Sequence, residues 1–501
     1  MIKKSLMSLM LIFALNSYSQ KEIAIFENSL LESSSSLKDV IPIVNDKTGD
    51  IALFLMDATK VYGYLLNDEF KLVKSLSSDD KNRKYKVLIG KGISDNNDYR
   101  IYFTNNRENK FASVKFSFDT KNIDYKEFEL TSKKEMLVQT VTFNNQFYLI
   151  SILKNTSKLN VYKFDVDGNY TRTELDFTSN NFINRYDKNT SIFSLITEGT
   201  GAYGFKKMIN LKKINGNIPN SIEVTSELSK LYLRDNKVVF TFDENKQFTQ
   251  ILTINLNTFE KKVEHIEKPS FKSDLEKPVE RTIISDGISK STNSYLNGDN
   301  LFIISSTHND FSFAVKNFNT HQMIKEYTVS NNDSITFKNT PIIQEGGTFE
   351  KYREMEKTKK FLRKITSGDI GVSVYRKNNT FQVTLGGKKD IKRSSGMMMP
   401  MGGFGMPIAS VGSVSVFFSP TYFAYNSYTA TKSTHIKGLF DLNFNHIKGE
   451  IEMNAFDKIN NFEEKEHVSN NGETVFSYKD YFILGNYITK DKTYILRKFT
   501  D

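Results

Sequence analysis

The sequence predicts an all-β chain, a β-propeller of seven or eight four-stranded blades, and two observations predict it. Apolar strand cores return about every 45 to 50 residues through the first half of the chain, the length of a blade of four strands. Around them apolar and polar residues alternate, which puts one face of a strand in a core and the other in water. The stretch Leu159–Leu175, LNVYKFDVDGNYTRTEL, shows the unit clearly. Val161 and Phe164 alternate with Asn160 and Lys163. Asp167-Gly168 offers the positive φ of a tight hairpin, and Tyr170, Thr171 and Thr173 favour a returning strand.

The first 19 residues read as a secretory leader. Lys3 and Lys4 form a basic start, Leu6–Leu15 is an apolar run too short to span a bilayer, and Ser17 and Ser19 suit cleavage before Gln20. Export to the periplasm or cell surface is expected, with residues 20–501 forming the propeller domain. The chain has no cysteine, which excludes disulfides, thiolate metal sites and a lipid-modified N-terminal cysteine. No later run of about 18 apolar residues occurs, so no integral helical membrane protein is expected. The formal charge of +10, or +8 without the leader, is spread over Lys mixed with Asp and Glu. That suits a solvated surface rather than nucleic acid.

Taken in order, the strand cores are Ile51–Met56, Arg100–Phe103, Phe147–Leu153, Ile192–Ile196, Val238–Phe242 and Leu301–Ile304. Second β runs follow most of them, at Val61, Ser113, Ile251 and Phe313. Beyond Ser330 insertions loosen the spacing, with hairpin-like runs at Gly371–Leu385, Val414–Ile451 and Tyr481–Phe499. Lys21–Phe26 alternates well enough to complete the last blade beside Thr493–Phe499, so the ends of the chain are expected to meet.

The runs LNVYKFDVDGNY, DNLFIIS and YFILGNYITKDKTYILRKF resemble exported β-propeller-like proteins of Bacteroidota, most of them without assigned activity. The resemblance implies fold and compartment and transfers no functional residue. The chain departs from many exported proteins of that group in ending on a blade strand instead of a separate sorting domain.

Two stretches break the repeat. Phe349–Ile365, FEKYREMEKTKKFLRKI, reads as an amphipathic helix capped by Thr348, with Glu350 in its first turn and Gly368 as its stop. Tyr352, Met355, Thr358, Leu362 and Ile365 would share its apolar side. Its seven basic and three acidic residues either form a solvated rim or, through Lys357, Lys360 and Lys364, dock an anionic head group or partner. The second stretch, Ser394–Thr431, has no charged residue in a chain that is 25% charged. It folds onto its own domain or offers Met397, Met398, Met399, Met401, Phe404 and Met406 as adaptable apolar contacts for a partner.

Motifs for chemistry reduce to structure. Gly199, Gly201 and Gly204 match a dinucleotide fingerprint with Glu223 downstream, yet no parallel crossover surrounds them, and a turn is expected. Asp165, Asp167 and Asn169 lack the glycine and glutamate positions of a calcium loop. Asp95, Asn96, Asn97 and Asp98 either chelate a cation or form a solvated Asx turn. His265, His308, His321, His435, His446 and His467 form no HxH or HExxH, although His435 and His446 could meet across a hairpin. No GxSxG occurs, and without Trp a glycan platform is less expected. No metal, cofactor or catalytic set is therefore expected. The reading is an exported, non-catalytic binding or scaffolding module contacting an envelope protein or membrane surface. The alternative is a propeller hydrolase or lyase acting on an envelope or extracellular glycan through channel carboxylates.

Overall fold

The computed structural model describes residues 20–28, 39–57, 59–79, 81–130, 134–198, 208–271, 290–345, 352–388, 420–429, 432–468 and 471–501. The expected leader lies outside these residues. The chain divides into two compact units, one of residues 1–83, 116–123 and 453–501, the other of residues 84–115 and 124–452.

Antiparallel meanders of four strands recur along the chain, the form of a propeller blade, so the fold class is the predicted one. They comprise residues 39–77, 85–128, 135–176 and 291–330, each with its strands in chain order. Residues 229–267 form a fifth, extended by Lys212–Ile214 lying parallel to Ser229–Arg234. A six-stranded sheet runs in the order 352–355, 342–345, 434–440, 380–388, 369–377, with 446–447 on 434–440. Among the described residues, seven sheets have four or more strands.

Five of the six apolar runs named above are strands: Ile51–Met56, Tyr99–Asn105, Gln146–Leu153, Lys237–Phe242 and Asn300–Ser306. Each is the second strand of its meander and is buried on both faces, which is why it reads as a continuous apolar run. Fourth strands such as Leu72–Ser77 and Lys261–Glu267 are mostly wet. Charged side chains on these outer strands, Lys74 and Lys261 among them, discourage further pairing. The sixth run differs. Ile192–Leu195 is a helical turn capped by Ser191, whose Oγ accepts from Ser194 N at 3.2 Å, and it buries Ile192, Phe193 and Leu195 and exposes Ser194 instead of alternating.

The expected helix 349–365 is also corrected. Tyr352–Met355 is a strand paired with Ile342–Glu345, and the helix is Thr358–Thr366 with Lys357 as its N-cap residue. Thr348 and Glu350 lie outside the described residues. The real apolar stripe is Thr358, Phe361, Leu362, Ile365 and Thr366, a three-and-four spacing. Tyr352 is exposed and Met355 is buried from the strand. The helix ends as Asp369 starts the next strand.

Residues 414–451 are likewise not one hairpin. Pro420–Thr429 is a helix, and proline near a helix start costs no hydrogen bond. Tyr422, Ala424 and Tyr425 are buried in it, so this part of the uncharged stretch folds onto its own unit. The 165–169 turn is longer than an Asp-Gly hairpin: Asp165 Oδ1 accepts from Asp167 N at 3.0 Å and Asn169 N at 2.8 Å, and Gly168 takes φ +76°.

Within the smaller unit the chain ends pair. Gln20–Glu27 lies antiparallel to Thr493–Phe499, with Lys21 opposite Lys498 and Phe26 opposite Tyr494, and completes a sheet with 474–478 and 481–488. Phe26 packs on Tyr64 and Tyr494 with ring centroids 4.9 and 5.7 Å apart. Beside this sheet stands a helix the sequence reading missed, Ala455–Glu466, with a capping box between Asn454 and Asp457.

Deleting Lys21–Glu27 is expected to lower the melting temperature by about 10 °C, because Thr493–Phe499 loses its ladder on that side and Phe26 leaves a core. A calorimetric melt unchanged from the intact protein contradicts the pairing. Asn454→Ala is expected to cost about 1 kcal/mol in urea unfolding through the lost cap.

Candidate functional site

The larger unit carries a polar centre buried among its sheets. Asp243, which ends the strand pair 229–242, is inaccessible to solvent along with Lys230 and Lys268. Lys230 Nζ lies 3.1 Å from Asp243 Oδ2, and Lys268 Nζ lies 3.1 Å from Asp243 Oδ1. Thr249 Oγ1 donates to Oδ1 at 2.7 Å, and Ser294 donates to Oδ2 from its N at 3.1 Å and its Oγ at 2.8 Å. Lys230 Nζ also donates to Glu227 O at 2.5 Å and Asn293 Oδ1 at 2.6 Å. Lys268 Nζ reaches Asn245 O at 2.8 Å and Thr292 Oγ1 at 3.1 Å. Asn293 Nδ2 then donates to Ser226 O at 2.7 Å and Ile370 O at 2.8 Å.

Burial by itself would raise the Asp243 carboxyl, but Lys268 and Lys230, with Thr249 and Ser294, outweigh it and hold the group below the usual carboxylate range. Burial pushes Lys268 down to about 8 against the pull of Asp243, and lowers Lys230 in the same sense. Both carboxylate oxygens of Asp243 are occupied, and Lys268 is surrounded by acceptors. The cluster is therefore built to fasten strands 229–234 and 291–297 and the start of 369–377, and it offers no group to a substrate.

A second polar chain lies nearer the surface. Lys388 Nζ meets Glu227 Oε1 at 3.0 Å, Asn210 Nδ2 donates to Glu227 Oε2 at 3.0 Å, and the same amide hydrogen-bonds Glu198 Oε1. Burial opposes ionisation of Glu227, yet Lys388 and Lys212 keep its carboxyl below the ordinary range. Lys388 is the last residue of the strand that leads toward Ser394, and Glu198 is the last before Gly199. The chain thus ties together the roots of both the Met-rich stretch and the glycine-rich one. Gly199, Gly201, Gly204, Met397, Met398, Met399, Met401, Phe404 and Met406 themselves lie outside the described residues.

Of the basic-helix residues, Lys357 and Lys360 are exposed, whereas Lys364 is half-buried and donates to Gln344 Oε1 at 2.7 Å. Arg353, Lys359 and Arg363, absent from the sequence-based set, are exposed beside them. The signal for Lys359 and Arg363 was in the helix period, which becomes readable only once the start at Thr358 is known.

The remaining motifs behave as structure. Ser94 Oγ helps organise the 94–98 turn by accepting from Asn96 N at 3.2 Å and Asp98 N at 2.9 Å. His435 and His446 do not meet: His435 Nδ1 pairs with Ser433 Oγ at 2.9 Å, and His446 Nε2 with Asn339 Oδ1 at 2.9 Å. Burial pushes His435 down to about 3, so it is neutral. Among the described residues no three acidic or histidine side chains gather as a metal site.

No protein-family profile matches the chain, and no curated protein matches it in sequence. Solved structures similar to it include the Nup133 β-propeller domain of Vanderwaltozyma polyspora, at 10% identity over 96% of this chain and 97% of that one, with a TM-score of 0.31. The Dos1 propeller matches at 10% identity over 96% of each chain, with a TM-score of 0.34. An ACO/RPE65 chimera matches at 8% identity over 59% of this chain, with a TM-score of 0.29, and this chain spans 61% of its length. Similarity at this level assigns neither a family nor an activity.

Removing the Asp243 carboxylate leaves two buried ammonium groups together, so Asp243→Ala is expected to cost about 3–5 kcal/mol in urea unfolding. Lys268 titrates lower in the folded chain than its ordinary value near 10.4, so between about pH 8 and 10 the unfolded state binds more protons and stability rises with pH. Lys268→Met is expected to flatten that rise relative to the intact protein. Equal slopes for the two contradict the assignment.

Proposed function

We propose that the chain is an exported, non-catalytic binding module of the cell envelope, in which packed β-sheets hold inserted segments in place for a protein partner. The observation that supports this most directly is the shared root. Glu198 and Lys388, the last described residues before 199–207 and before 389–419, are joined through Asn210 and Glu227. Binding residues commonly sit on segments positioned by a stable scaffold. Met397, Met398, Met399, Met401, Phe404 and Met406 supply adaptable apolar contact without charge, which suits a partner surface through repacking. Lys3, Lys4 and the apolar run Leu6–Leu15 support export, with a mature chain starting near Gln20.

Asp243 is engaged by Lys230 and Lys268, and Glu227 by Lys388. This favours the binding reading over a hydrolase or lyase, which needs a carboxyl group open to substrate.

The test is affinity purification from mild detergent of the tagged intact protein beside a variant lacking Ser394–Val411, followed by mass spectrometry. The expected outcome is a protein retained by the intact chain and lost with the deletion, while both melt at similar temperatures. If both variants come out alone, the reading fails, and turnover of acidic glycans becomes the measurement to make.

A further inference from the structure

The solvent side of residues 352–363 is the most one-sided charged surface among the described segments that break the repeat. Arg353, Lys357, Lys359, Lys360 and Arg363 are all exposed there, against Glu354 and Glu356. None of the five cationic side chains has an ion-pair partner among the described residues, whereas some exposed lysines elsewhere do, as Lys71 with Glu69 at 2.6 Å. On the helix, Lys359, Lys360 and Arg363 fall within about 100° of arc at 100° per residue. Phe361, Leu362 and Ile365, on the other side, are fully buried. Tyr352 is 53% exposed on the adjoining strand and donates its hydroxyl to Glu354 Oε1 at 2.6 Å.

We propose that this face docks on an anionic phospholipid surface. The claim deepens the binding-module reading and rests on it only in taking the chain to work by surface contact. Two features favour a bilayer over a discrete ligand or an acidic protein. The cations are all exposed on a helix and one strand, whereas sites for small ligands are concave and bury most of the ligand. Most are lysines, whose long stems place point charges on a plane of phosphates without demanding bidentate geometry.

The helix cannot insert, since its apolar residues are committed to the core, so the contact is electrostatic.

The experiment is flotation of the full chain with vesicles of phosphatidylcholine alone, or containing about one-third phosphatidylglycerol, at low and physiological salt. The intact protein is expected to float with the anionic vesicles only, and less so as salt rises. Each cation neutralised is expected to weaken partition about fivefold, so Lys357→Gln, Lys359→Gln, Lys360→Gln and Arg363→Gln together lower it by more than a hundredfold. A control with the same loss of charge elsewhere, Lys71→Gln, Lys110→Gln, Lys237→Gln and Lys465→Gln, is expected to lower it far less. All these side chains are exposed, and a melt of each variant confirms folding. Equal partition of the two variants, binding of soluble polyphosphate but not vesicles, or no flotation of the intact chain overturns the proposal. A protein partner captured through Ser394–Val411 beside absent flotation removes this inference and leaves the binding-module reading standing.

Discussion

The structure depends on strands that are dry on both faces. Ile51, Leu53 and Leu55 point one way and Ala52 and Phe54 the other, and none is exposed; the same holds for Leu301, Phe302, Ile303 and Ile304. A strand of this kind needs packing above and below, so no meander can stand alone and each must be covered on two sides. Water is left to the outer strands, where Lys, Glu and Thr replace Val and Ile. The polar groups that remain inside must then satisfy one another, and the cluster around Asp243 is the largest instance.

That requirement explains why two lysines converge on one aspartate. Isolated buried charges cost several kcal/mol each, and here the excess of positive charge is moderated by carbonyl oxygens of Glu227, Asp243 and Asn245. Such a network adds direction to a core whose apolar contacts are tolerant of sliding. It fixes the alignment of strand 291–297 against 229–234 at one point, through Ser294 and Asn293, where Phe or Ile side chains alone would permit several.

Much of the fold was legible because burial on two faces leaves an unmistakable mark. The runs IALFLM, VVFTF and LFII sit at second-strand positions, and the terminal pairing could be read from the alternation of Lys21–Phe26. The failures have physical causes as well. Ile192–Ile196 is as apolar as a strand, and only Ser191 hints at its cap. Tyr352 and Met355 fit a helical period by coincidence, so the Thr358 start was hidden. Asn454 and Asp457 carried a capping box that passed unnoticed among charged neighbours. The polar centre was not legible at all: Lys230 and Lys268 look like any surface lysine until distant strands bring Asp243 between them.

The pairing of residues 20–27 with 493–499 joins segments more than four hundred residues apart. Closing a flexible loop of that length costs about 5 kcal/mol of chain entropy before any contact repays it, so this sheet needs the far segment to be present. A chain cut short before Thr493 would leave Ile23, Ala24 and Phe26 without a ladder, exposed to proteases and to pairing with other chains.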